Sequence, residues 1–243
     1  VLDLARKSGL PEHRIPLIFR GANFRLTPPA SGQWYETVPE VSDASEAILA
    51  SARGASPTNP VWVVPVGPGT NVASAILQAR NEGLELRDRL RVIWLGGSND
   101  AIVREFNGNN DPWSMYVVAQ SGVETWIVPA PVGARVSIDK RSEGHLYADH
   151  PLGQYLKKIV PNKHKALYDA SALSSIINLR LNLGWINKVQ RVRVPGPDEG
   201  YRLKPTDNKD GVRVIREIDH KAMQQDLFET MKGKPTCLIG ADK

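Results

Sequence analysis

Cysteine is almost missing from this chain. Cys237 is the single one among 243 residues, so an internal disulfide and a cysteine metal cluster are both excluded. That scarcity leaves the compartment open, because exported proteins also do without disulfides. Long apolar runs are missing as well. No stretch approaches the roughly 20 residues that cross a bilayer, so no membrane partner is expected. No strand is followed by Gly-x-x-x-x-Gly-Lys or by Gly-x-Gly-x-x-Gly, which removes a phosphate loop and a dinucleotide fingerprint. Net charge is +5, yet no Lys/Arg block with interleaved aromatics accompanies it, and nucleic acid is not the expected partner. The remaining balance, 41% hydrophobic and 23% charged, is that of a globular chain able to bury a substantial core.

What is present is organised around Arg91 to Pro112, RVIWLGGSNDAIVREFNGNNDP. Val92-Ile93-Trp94-Leu95 reads as a buried strand that Gly96-Gly97 ends. Asn99, Asp100, Glu105, Asn107, Asn109, Asn110 and Asp111 follow, at the place where open α/β sheets bind ligands. Carboxylates accept from hydroxyls, and amides both donate and accept, so the set suits a sugar. A second unit has the same logic. Val61 to Val66 is an apolar strand, Gly67-Pro68-Gly69-Thr70-Asn71 a turn, and Val72 to Asn81 a helix, which together make the βα unit of a parallel sheet. On spacing alone the turn is first of all a structural tight turn, although its backbone could also face a ligand.

The rest of the chain supplies further elements. Val1 to Ala5 reads as part of a helix without its N-cap, stopping at Gly9, as if the chain began inside a domain. Ile15-Pro16-Leu17-Ile18 is a strand candidate. Asn23 to Val41 is a long loop with Trp34 and Tyr35, either a lid or a surface loop anchored by its aromatics. Ser42 to Glu46 has the spacing of a helix cap. Asp111-Pro112 opens a helix through Gln120, and Thr125 to Pro129 is a buried strand. His145 and His150 have no metal-ligand spacing and read as surface residues. Asp169 either caps the helix after it or points into a site. Lys188 to Val194 and Val212 to Ile215 form an antiparallel hairpin expected at the sheet edge, and Asp219 starts a last helix in which His220 is structural. The fold class is α/β: one domain over residues 1–243, a mostly parallel open sheet flanked by helices, with a C-terminal antiparallel hairpin.

Several of these segments resemble the inosine-uridine-preferring nucleoside hydrolase family. They are Gly67-Pro68-Gly69-Thr70-Asn71 after a strand; Gly96-Gly97, Asn99, Glu105-Phe106-Asn107 and Asp111-Pro112 at the family's spacing; and Ser121-Gly122-Val123 before a strand. The resemblance implies a Ca²⁺-dependent hydrolase of the N-glycosidic bond of ribonucleosides. In such an enzyme the ion holds a water and the ribose hydroxyls, and attack passes through an oxocarbenium-like state. By position, Thr70 would give its backbone carbonyl and Asp169 its carboxylate to the metal. Asn99, Glu105 and Asn107 would bind ribose, and Trp34 would stack on the base or only pack. The resemblance also extends to a homo-oligomer, dimer or tetramer.

Two departures stand out. The family's N-terminal Asp-rich motif, which supplies the base and most metal carboxylates, has no counterpart here, so the expected domain lacks its N-terminal strand and helix and binds Ca²⁺ poorly alone. The family's leaving-group His is replaced by Tyr168. Phenols are protonated at neutral pH, so Tyr168 would donate weakly or stack. Two alternatives follow: a ribose- or nucleoside-binding relative impaired in catalysis, and a hydrolase of another riboside.

Overall fold

The computed structural model describes residues 2–138, 151–159 and 164–231; His145 and His150 lie outside them. In chain order the elements begin with α1 (Leu2–Lys7), α2 (Asp43–Arg53), β1 (Val61–Val63), α3 (Thr70–Asn81) and β2 (Leu90–Leu95). Next come α4 (Phe106–Asn110), α5 (Pro112–Gln120), β3 (Glu124–Val128), α6 (Ala130–Gly133) and β4 (Ser137–Ile138). The last are α7 (Pro151–Ile159), β5 (Lys165–Ala166), α8 (Tyr168–Leu181), β6 (Ile186–Arg193), β7 (Lys204–Pro205), β8 (Val212–Ile218) and α9 (His220–Met231). They fall into two compact units. The sheet unit comprises Phe19–Gly133 and Ile186–Ile218, and the helical unit Val1–Ile18, Ala134–Trp185 and Asp219–Lys243.

The sheet unit is built on six strands in the order β1-β2-β3-β8-β6-β7. The pairs β1–β2, β2–β3 and β3–β8 are parallel, whereas β6 runs antiparallel to both β8 and β7. Side chains alternate between faces. Leu90, Val92 and Trp94 of β2, Ile127 of β3 and Val212 and Val214 of β8 enter one apolar core with Ala73, Ile76 and Leu77 of α3 and Trp113 and Val117 of α5. Arg91, Glu124 and Arg213 go to the opposite face.

Local chemistry sets the helix starts. The Ser42 side chain accepts from the Ser45 N–H while the Ser45 hydroxyl accepts from the Ser42 N–H, a reciprocal cap for α2. Asp111 accepts from the Ser114 N–H with Pro112 at the first position of α5.

Three expectations need correction. Ile15–Ile18 is no strand: the segment is extended but unpaired, with Leu17 81% and Ile18 75% exposed, because composition marks β-formers without supplying a partner. The strand expected to reach Val66 ends at Val63, ahead of Pro65, which has no N–H to give a ladder. The hairpin of β6 and β8 is not at the edge. Its β8 inserts beside β3, and the two-residue β7 occupies the outer position.

In the helical unit α1 packs on α7 and α8 on α9. The Ser8 hydroxyl accepts from the Leu152 N–H at 2.9 Å, and β4 pairs antiparallel with β5. Asn182, with φ of 52°, ends α8, and Asp219 caps α9 by accepting from the Ala222 N–H.

Candidate functional site

In the sheet unit the loops after β1 and β2 leave the carboxyl ends of adjacent parallel strands. Gly97 turns the chain at φ of 70°, a backbone region that favours glycine. Its N–H then points at Glu105. One carboxylate oxygen, Glu105 Oε2, accepts from the Gly97 N–H at 3.0 Å, the Asn107 N–H at 2.9 Å and the Gly108 N–H at 3.2 Å. Glu105 is thus the N-cap of α4 and the tie that closes the loop onto the end of β2. A Cβ on Gly108 would run into the Ile102 carbonyl, which is why the chain fits there only with glycine. Three N–H donors fix the plane and position of the carboxylate. Its Oε1 has no hydrogen-bond partner among the described residues.

Asn107 is buried beside it. Its Nδ2 donates to the Leu95 carbonyl at 2.9 Å and to the Val66 carbonyl at 3.3 Å. Both amide protons therefore stitch together the chain leaving β1 and the end of β2. The Asn107 Oδ1 remains as an acceptor.

Asn99 is exposed. Its carbonyl accepts from Arg216 Nη1 at 2.5 Å, and its side-chain amide has no partner among the described residues. Phe106, 77% exposed, stands between Glu105 and Asn107.

Beneath these groups lies a carboxylate that sequence reasoning left out of the site. Asp111 is 1% exposed. Its Oδ2 accepts from the Thr70 hydroxyl at 2.6 Å and the Leu26 N–H at 3.1 Å, and its Oδ1 from the Ser114 N–H at 3.0 Å. Burial, and next the Asp111 carboxylate, push the Tyr201 phenol up. Asp111 thereby joins the starts of α3 and α5 to the 19–26 segment. Asn71 acts alongside: its Oδ1 accepts from the Ala22 N–H at 2.8 Å and the Ser42 hydroxyl at 3.1 Å. Only their place in the Gly-Pro-Gly-Thr-Asn and Asn-Asn-Asp-Pro runs could have signalled these two residues.

The family model described as inosine-uridine preferring nucleoside hydrolase matches residues 5–225. The chain belongs to that family. Solved structures share its fold at low identity. A plant nucleoside hydrolase, PpNRh1, has 20% identity and a TM-score of 0.60, over 95% of this chain and 83% of that one. An inosine-uridine preferring nucleoside hydrolase from Bacillus anthracis has 16% identity and a TM-score of 0.59, over 89% of this chain and 79% of that one. A purine-preferring ribonucleoside hydrolase from Gardnerella vaginalis has 17% identity and a TM-score of 0.59, over 81% of this chain and 67% of that one. No curated protein sequence matches significantly.

Within this nucleoside-hydrolase sheet unit, the residues singled out from sequence do not all gather. Asn99, Glu105, Asn107 and Thr70 belong to the loops and helix start after β1 and β2. Trp34 does not join them. It packs against the core, edge-on to Tyr35 at 5.9 Å, with the Arg80 guanidinium 5.9 Å from its ring centre. Arg80 is in the last turn of α3, about 15 Å along the axis from Thr70, so Trp34 takes the packing role. Thr70 is the first residue of α3, where a carbonyl is directed along the helix to accept from the fourth residue on; one lone pair is left over.

Tyr168 and Asp169 belong to the helical unit, where they open α8. Leu167, not Asp169, is the N-cap, so the capping alternative for Asp169 falls. The Asp169 carboxylate has no hydrogen-bond partner among the described residues, and lost hydration pushes it up. Tyr168 is 43% exposed, and its carbonyl accepts from the Ser171 hydroxyl.

Proposed function

We propose that this chain binds the ribosyl part of a ribonucleoside and serves hydrolysis of its N-glycosidic bond. One observation supports the reading above others: the Glu105 carboxylate, immobilised through Oε2 by three backbone N–H groups, keeps Oε1 without a hydrogen-bond partner among the described residues, and, two residues on, Asn107 keeps its Oδ1 while its Nδ2 is held by two carbonyls. Two fixed acceptors, two residues apart on one loop, suit sugar hydroxyls, each a donor. Such acceptors, Asn107 buried and Glu105 half-buried, also give discrimination, since a sugar lacking a hydroxyl leaves one of them unpaired. The exposed amide of Asn99 and the exposed ring of Phe106, on the same stretch after β2, would bind a further hydroxyl and the flat base.

Calcium is the ion this reading calls for, and the donor set tests it. Ca²⁺ takes about six to eight oxygens. Among the described residues no three or more His, Cys, Asp or Glu side chains gather to hold a metal. Thr70 offers a carbonyl in the first turn of a helix and Asp169 a single carboxylate. Neither donor by itself, Thr70 in the sheet unit or Asp169 in the helical unit, makes a calcium site. In the reaction, Glu105 and Asn107 of the sheet unit orient the ribose.

The lack of a cluster of three or more His, Cys, Asp or Glu side chains among the described residues and the phenol at position 168 favour a second reading, in which a riboside is bound without turnover. Calorimetry with inosine and uridine, run beside a reducing-sugar assay with Ca²⁺ present, separates the two. Binding with release of ribose supports the hydrolase, and binding without release supports the second reading. Absence of both sinks the ribosyl assignment.

A further inference from the structure

The loop that carries Asn99 is surrounded by arginine. Arg104 Nη1 meets Asp100 Oδ2 at 2.7 Å. Arg216 reaches from β8 to the same loop, donating through Nη1 to the Asn99 carbonyl at 2.5 Å and through Nε to Gln190 Oε1 at 2.8 Å. Arg202 is brought in by the backbone. It forms an antiparallel bridge with Ala101, flanked by the bonds Ile102 N–H to the Tyr201 carbonyl at 3.1 Å and Leu203 N–H to the Asp100 carbonyl at 2.8 Å.

Three guanidiniums thus surround one carboxylate. Glu199, on the same segment as Arg202, does not balance them, because Arg193 at 2.8 Å and Lys204 already engage it. Within the group of Arg104, Arg202, Arg216 and Asp100, three positive charges face one negative. Arg202 has no side-chain hydrogen-bond partner among the described residues, and the second terminal nitrogen of Arg216 has none either.

This surplus differs from ordinary surface charge in two ways. Arg216 is held on two sides, so little rotamer freedom is lost when an anion docks. It is also partly withdrawn from water, which lowers its pKa against the opposing pull of Asp100, and a cation so placed attracts an anion more strongly than a fully hydrated one. The Ser98 hydroxyl, and after it Arg104 and Arg202, hold the Asp100 carboxyl below the usual range, so this carboxylate stays charged and is already spoken for.

We propose that Arg104, Arg202 and Arg216 form an anion subsite beside Asn99 that takes the phosphate of a phosphorylated riboside. Guanidinium forks match phosphate oxygens in pairs. The inference rests on the ribosyl reading above, since Asn99 is the group that links the two subsites. A phosphate on the sugar's primary hydroxyl, as in a nucleoside monophosphate or the pyrophosphate of a dinucleotide fragment, is the shared chemistry.

Calorimetry on the full chain with inosine, inosine monophosphate, ADP-ribose and inorganic pyrophosphate tests this. The wild type should bind inosine monophosphate at least about tenfold more tightly than inosine, with the advantage shrinking as salt is raised. In the double variant Arg104→Ala with Arg202→Ala the advantage should fall to about twofold or less. ADP-ribose binding tighter than the monophosphate would identify a pyrophosphate as the group recognised. Inosine binding as tightly as its monophosphate, or an advantage that survives the double variant, overturns the proposal. Pyrophosphate binding that the variant abolishes, with neither riboside bound, sinks the ribosyl reading and supports the anion subsite as a site for free oxyanions. No binding by any of the four overturns both.

Discussion

At the scale of single residues, two carboxylates with different tasks decide the site. Glu105 spends one oxygen on three backbone donors and keeps the other. Replacing it by Gln removes the charge that strengthens those three bonds. Glu105→Gln should cost about 1–3 kcal/mol of stability, read from urea unfolding, and weaken riboside binding about tenfold or more. Unchanged riboside affinity in a folded variant would remove Glu105 from the site. Asp111 has no free oxygen: both are used, and all its bonds lie in the interior. An amide at 111 must turn its NH₂ toward a donor, so Asp111→Asn should destabilise by about 2–4 kcal/mol. Thr70→Val removes one of several donors and should cost about 1–2 kcal/mol. A denaturation midpoint that falls further for Thr70→Val than for Asp111→Asn would contradict this division. Sequence reasoning found Glu105 by its motif but not its backbone work, because the Gly97 N–H it holds lies eight residues upstream across a turn.

At the scale of elements, local signals were legible and long-range pairings were not. The caps of α2 and α5 depend on residues three apart, Ser42 with Ser45 and Asp111 with Ser114, so composition and spacing were enough. The partner of β8 was not visible, since Trp126 pairs with Arg213 across a large loop of intervening chain. That pairing has an energetic consequence. Glu124 accepts from Arg213 Nη1 at 3.2 Å and Trp126 Nε1 at 3.0 Å, and its other oxygen forms an ion pair with Arg91 Nε at 3.2 Å. Arg91 lies over Trp62 and Arg213 over Trp126. One acid therefore pairs with two cations on neighbouring strands β2 and β8, either side of its own. Its side chain is 30% exposed and those of Arg91 and Arg213 are 36% and 26% exposed, so screening is partial. Glu124→Ala should cost about 1–2 kcal/mol at low salt and less at high salt, whereas Glu124→Gln should keep the tryptophan bond and lose less. A salt-independent loss would show that packing, not charge, is what Glu124 contributes.

At the scale of the whole molecule, the family match over residues 5–225 and the six-stranded sheet agree, while among the described residues no three or more His, Cys, Asp or Glu side chains gather to hold a metal. Binding that favours only the folded state raises stability in proportion to occupancy. A complete calcium site would therefore announce itself in thermal unfolding, at calcium concentrations above its dissociation constant. With Thr70 and Asp169 as the donors at hand, and no cluster of three acids or histidines among the described residues, millimolar Ca²⁺ should leave the melting temperature within about a degree of that in chelator. The variant Asp169→Asn should respond no differently. If Ca²⁺ instead raises the melting temperature by several degrees and Asp169→Asn abolishes the rise, Asp169 is a ligand and further oxygens complete its shell. The pair proposed to bind ribose, Glu105 and Asn107, needs no such ion. It is assembled by backbone N–H and carbonyl groups of the sheet unit, so riboside binding in chelator should match that in calcium. A riboside affinity that appears only with Ca²⁺ would mean that the ion, and not the carboxylate oxygen left open on Glu105, holds the sugar.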